Sequence, residues 1–134
     1  MSVIVVGYVP KPEGRAALQL GADEAKRRGA SMVVVNSHRG GREFDRDDAV
    51  DSEVELDEVR DELQAAGVEF EIRQLVRGMD PAEDLIAVAD ELSAELIVIG
   101  LRKRSPVGKL ILGSNAQRVL LDAQCPVLAV KAAE

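Results

Sequence analysis

Apolar positions along this chain fall into short β-branched runs separated by longer stretches with helical spacing. Residues 3–6 (Val-Ile-Val-Val) are bounded by Gly7, Pro10 and Pro12 and read as a buried strand. Residues 13–28 are rich in Ala and Leu and read as a helix that Gly29 stops. Residues 32–35 form a second apolar run, ended by residues 36–39 and the Gly40-Gly41 pair. Val68, Phe70 and Ile72 alternate with Glu69, Glu71 and Arg73, the pattern of a strand with one wet face or an edge position. Asp80 reads as the N-cap of a third helix, Pro81 as its first residue and Glu83 as the closing half of a capping box. Leu85, Val88, Ala89 and Leu92 form its buried face. Residues 96–99 are an all-apolar strand ending at Gly100, and a long loop over 101–112 follows. Gly113-Ser114-Asn115 opens a helix through Leu121, with Ser114 able to cap it, and residues 126–130 form the last strand.

Strands that alternate with helices imply a parallel sheet covered on both faces. The strongest apolar runs, strands 1, 2 and 4, belong at the centre, and the alternating third strand belongs at an edge. With right-handed crossovers this gives a single open α/β domain over residues 1–134, with five parallel strands in the order 3-2-1-4-5. The order reverses between strands 1 and 4, and ligands in such sheets bind beyond the carboxyl ends at that reversal. The loops there are 7–13 and 100–114.

Charge changes the picture in one region. Lys plus Arg number 17 and Asp plus Glu number 24, a net charge of −7, which argues against a general nucleic-acid binder. Residues 42–62 hold eleven acidic and three basic side chains, so this segment carries −8 and the rest of the chain is near +1. Leu56, Val59, Leu63 and Ala66 keep a helical stripe through its second half. The segment reads as a mobile acidic loop that becomes a solvated helix ending at Gly67. Aromatics are Tyr8, Phe44 and Phe70 alone, so the core is aliphatic and base-stacking platforms are excluded. No apolar run reaches membrane-spanning length and no secretory signal is visible, so a reducing cytoplasm is the expected compartment. Cys125, the one cysteine, reads as a packed small side chain, and His38 as a polar residue at the end of strand 2.

The segment from Gly100 to Asn115 holds the candidate chemistry. It leaves a buried strand, carries Arg102, Lys103, Arg104 and Lys109, and ends at a helix N-terminus. Backbone N–H groups at Gly113, Ser114 and Asn115 and the helix dipole favour an anion there. It is not a Walker loop: seven residues separate Gly100 from Gly108, and Lys109 is followed by Leu110. Ser37, at the end of strand 2, could offer backbone groups to a ligand at the same sheet edge. No nucleophile–base pair stands out, so an enzyme is not expected.

This pattern resembles the universal stress protein family. Its hallmark is a strand ending in Gly, two residues, Gly, nine residues, then Gly-Ser or Gly-Thr. Here Gly100, two residues, Lys103, the nine residues 104–112 and Gly113-Ser114 fit that spacing. The tail from Gly113 to Val130 and the stretch from Val76 to Glu83 are also similar to the family.

The resemblance implies an adenine-nucleotide α-hydrolase-like fold and a cytoplasmic stress protein that binds ATP or a related adenine nucleotide or phosphate ligand, with which magnesium could enter, without rapid turnover. It implies Gly100, Arg102, Lys103, Gly113, Ser114 and Asn115 at the phosphates, and Val9 and Ser37 at the nucleoside. Two positions depart from the pattern: Lys103 stands where the family has glycine, and Val9 where it usually has Asp. The family also implies a homodimer through strand 5 (126–130). The alternative is a dimeric adaptor of the same fold that binds no nucleotide.

Overall fold

The computed structural model describes residues 2–38, 46–76, 80–101 and 113–132. Strands β1 (Val3–Gly7), β2 (Ser31–His38), β3 (Phe70–Val76), β4 (Leu96–Leu101) and β5 (Val127–Lys131) alternate with helices α1 (Pro12–Arg28), α2 (Arg46–Ala66), α3 (Pro81–Glu91) and α4 (Ser114–Asp122). The five strands form one parallel sheet in the order β3-β2-β1-β4-β5. The three most apolar strands hold the centre and the alternating strand one edge, because central strands are buried on both faces.

Side chains of each strand alternate between two cores. Ile4, Val6, Met32, Val34, Leu96 and Val98 pack under α1 and α2 with Leu18, Val59 and Leu63. Val5, Val33, Val35, Ile97 and Ile99 face the other way, under α3 and α4, with Leu85, Val88 and Val119. Both cores are almost wholly aliphatic, and Tyr8 is the aromatic residue buried within the first.

Three local expectations differ from what the structure shows. Helix α2 already begins at Arg46, inside the stretch read as a loop. Acidic residues are favoured in a first helical turn, so a charge-rich start does not exclude helix. Residues 42–45 of that stretch lie outside the described residues. Strand β2 continues to His38, because β3 pairs with it in register from Phe70 opposite Met32 to Val76 opposite His38. Ser37 and His38, placed at the end of strand 2 in the sequence, are its last ladder residues.

The capping box at α3 is not formed. Asp80 is the N-cap residue and Pro81 the first helical residue, but no side-chain cap hydrogen bond is made. The carboxylates of Asp80 and Glu83 are both taken by Arg118 of α4. One planar guanidinium donates to both carboxylates at once through its two Nη groups.

Candidate functional site

Helices α1, α3 and α4 all begin at the end of the sheet where β1 and β4 finish. There they surround a cleft of about 180 Å³. Its floor is Gly7, Tyr8 and Val9 after β1, Val35 of β2, and Ile99 and Gly100 of β4. Glu13 and Gly14 of α1, Pro81, Ala82 and Leu85 of α3, and Asn115, Ala116 and Val119 of α4 form the walls. This is the reversal point of the strand order, where the crossovers on the two sides diverge and leave a crevice.

The corner at α1 is tightly drawn. Lys11 N–H donates to the Val9 carbonyl at 2.8 Å, and Gly14 N–H donates to the Lys11 carbonyl at 2.9 Å. Tyr8 continues the ladder beyond β1 by donating its N–H to the Val35 carbonyl at 2.9 Å. The lining is mostly apolar side chain and bare backbone, and Glu13 is its single charged residue among those described. Favourable charge for an anion comes from the helix dipoles, which put about half a positive charge at each start; α4 adds first-turn N–H groups without intrahelical partners, whereas Pro12 and Pro81 at the starts of α1 and α3 have none.

Of the residues expected at a ligand, Val9, Gly100 and Asn115 line this cleft. Val9 is 40% exposed, so its side chain is open to whatever enters. Gly113 and Ser114 stand beside Asn115 at the start of α4, with Gly113 as the N-cap residue. Ser114 is thus the first helical residue and not the cap, and no side-chain cap hydrogen bond is made there. An extended glycine closes the loop, and the first N–H groups of the helix are left for another acceptor. Ser37 is placed through its backbone, opposite Leu75 in β3, and its side chain is outside the described part of the structure. Arg102 and Lys103, with Arg104 and Lys109, lie outside the described residues.

The α3 wall was not anticipated as part of the site. Asp80-Pro81 reads as a helix start, and every helix in such a fold starts near carboxyl ends of strands, so the signal was present in the order of elements. Tyr8 and Gly14 were missed because nothing in their spacing marks them. Tyr8 is set by the end of β1, and Gly14 by the close approach of the 9–14 turn.

An open, doubly wound α/β domain with a crevice at its switch point is defined by this arrangement. The pattern of the universal stress protein family matches residues 1–131. A universal stress protein of Mycolicibacterium smegmatis is 51% identical over 129 residues, covering 96% of this chain and 97% of that one. The solved structure of a universal stress protein from Archaeoglobus fulgidus superposes with a TM-score of 0.80 at 38% identity, covering 96% of this chain and 97% of that one. A universal stress protein of the same organism, solved in complex with dAMP, gives a TM-score of 0.79 at 32% identity with the same coverage. The chain belongs to the universal stress protein family.

Among the described residues no helix is long and apolar enough to cross a membrane.

Proposed function

We propose that this protein is a cytoplasmic stress-response protein that binds ATP, or a related adenine nucleotide, in the switch-point cleft without turning it over rapidly. The observation that carries this reading is the meeting of three helix starts around one apolar crevice. Apolar walls suit a base and sugar, backbone groups at the strand ends suit their polar edges, and helix N-termini suit phosphate. The dAMP complex of the Archaeoglobus fulgidus relative supports it.

In this reading Gly113, Ser114 and Asn115 hold phosphate oxygens through N–H groups, joined by Arg102 and Lys103. Val9 and Ser37 border the nucleoside, and Gly100 leaves room at the floor. Magnesium enters bound to the phosphates. The chain's own groups bind and orient; the lining pairs no nucleophile with a base among the described residues.

A homodimer through β5 accompanies either reading. The strand lies at the open edge of the sheet, with Val127, Leu128, Ala129 and Val130 only half-buried. An apolar edge with unpaired backbone groups invites a second strand.

Calorimetric titration with ATP, GTP, AMP and adenosine tests the proposal. ATP should bind more tightly than adenosine and lose affinity with added salt, and Lys103→Glu should weaken it more than Lys103→Gly. Discrimination between ATP and GTP should be modest. If adenosine binds as tightly as ATP, the phosphate site fails. If none binds at millimolar concentration, the adaptor reading replaces this one.

A further inference from the structure

One side chain outside the cleft lining joins two of its walls. Arg118 of α4 donates from Nη1 to Oδ2 of Asp80 at 3.1 Å and from Nη2 to Oε1 of Glu83 at 2.5 Å. Its Nε also stands 3.8 Å from Oδ2 of Asp122, one turn on in the same helix. Asp80 is the N-cap residue of α3 and Glu83 lies in its first turn. Pro81 and Ala82, between them, line the cleft, as do Ala116 and Val119 on either side of Arg118. The fork therefore ties the start of α3 to the second turn of α4, two neighbouring helices on one face of the sheet that both line the cleft.

Its contribution to stability is small. Arg118, Asp80 and Glu83 keep 42%, 29% and 40% of their side-chain surface in water, and pairs this wet are worth little. Its effect on the field in the cleft is larger. Beside the buried Asp84, the more exposed carboxylates of Asp80 and Glu83 at the start of α3 oppose the positive end of that helix and repel an anion beside it. Neither is used as a cap, so nothing in α3 itself absorbs their charge. A planar guanidinium binds both at once, which a lysine ammonium, a point charge, does less well.

We propose that Arg118 is a positioning residue of the cleft that fixes the α3 and α4 walls and masks Asp80 and Glu83, so that the crevice accepts phosphate-bearing ligands. The proposal rests on the adenine-nucleotide reading above. An uncharged nucleoside in the same crevice is indifferent to the mask.

The test is calorimetric titration of ATP and adenosine, at low salt, into wild-type protein, Arg118→Lys, Arg118→Met, and Arg118→Met combined with Asp80→Asn and Glu83→Gln. Circular dichroism confirms folding of each. Arg118→Met should weaken ATP about five- to tenfold and adenosine less than about twofold. Arg118→Lys should fall between wild type and Arg118→Met, and it carries the comparison if Arg118→Met does not fold. The triple variant should return to within about twofold of wild type, because the two α3 carboxylates that Arg118 binds are gone. A merely structural arginine would not be rescued by deleting its partners. Equal losses for ATP and adenosine, or no recovery in the triple variant, overturn the proposal. Unchanged ATP binding in Arg118→Met also overturns it and leaves the nucleotide reading standing. If wild-type protein binds neither ligand at millimolar concentration, that reading falls and this inference falls with it.

Discussion

The backbone carbonyl of Glu13 lies against the α-carbon of Gly100, so close that a β-carbon there would stand 1.8 Å from its oxygen. A second contact of the same kind joins Gly14 to the carbonyl of Val9, again with 1.8 Å for a β-carbon. Together they seat the start of α1 on the ends of β1 and β4 and shape one corner of the cleft. The family resemblance assigns Gly100 to the phosphate loop. In the fold it first serves helix-on-strand packing, since atoms that close leave no space for a side chain.

Replacing Gly100 by Ala should therefore destabilise the protein whether or not ligand is present. A clash with backbone cannot be relieved by a rotamer change, and we expect a loss of about 2–4 kcal/mol and a melting temperature roughly 10 °C lower. Thermal denaturation without ligand checks this. An unchanged melting temperature would mean that α1 can move away from β4 at no cost.

Val9 borders the cleft with its side chain 40% exposed and offers no polar group. Val9→Asp puts an acceptor at that point, within reach of sugar hydroxyls or base amines. Adenosine affinity should rise by about tenfold, equivalent to about 1.4 kcal/mol for one charge-assisted hydrogen bond. Titration with adenosine decides it, and a fall in affinity would place the nucleoside elsewhere in the cleft.

Leu128 is half-buried in β5 and packs against the core under α1. Leu128→Lys should convert a dimer into monomers of 14.4 kDa in sedimentation, since a charged edge strand resists pairing. Circular dichroism separates dissociation from unfolding. Wild-type protein that sediments as a monomer at micromolar concentration would refute the strand 5 interface.

Burial pushes the Cys125 thiol above its ordinary pKa, and the negative charge of Asp90 adds to the shift against a lowering by a backbone hydrogen bond. The thiolate is the reactive form, and a raised pKa leaves less of it at any pH below the shifted value. Alkylation by iodoacetamide at pH 8 should be slower than for an unhindered cysteine thiol. The rate should keep rising through the pH range where an ordinary thiol has levelled off. A rate at or above that of an unhindered thiol would mark Cys125 as activated.

Much of the fold was legible along the chain. Residues 3–6, 32–35 and 96–99 are apolar on both sides, and only central strands of a parallel sheet need that. Val68, Phe70 and Ile72 alternate with charge, and β3 stands at an edge. With right-handed crossovers these facts leave one strand order, and with it the position of the crevice between β1 and β4. Val9, Gly100 and Asn115 could be placed at that crevice because strand ends and helix starts are local features.

Side-chain choices between elements were not legible. Asp80 and Glu83 have the spacing of a capping box, and by local rules they would bond the backbone of their own helix. Arg118 lies 38 residues from Asp80 in sequence, and only the packing of α4 on α3 brings its fork within reach. Gly100 looks like an ordinary strand-end glycine until α1 is laid over β4 and the carbonyl of Glu13 makes its missing β-carbon necessary. Local patterning determined the elements, their order and the place of the cleft, because backbone hydrogen bonding and burial act residue by residue. Tertiary structure decided which charges meet and which atoms touch, because those depend on distances that no stretch of sequence contains.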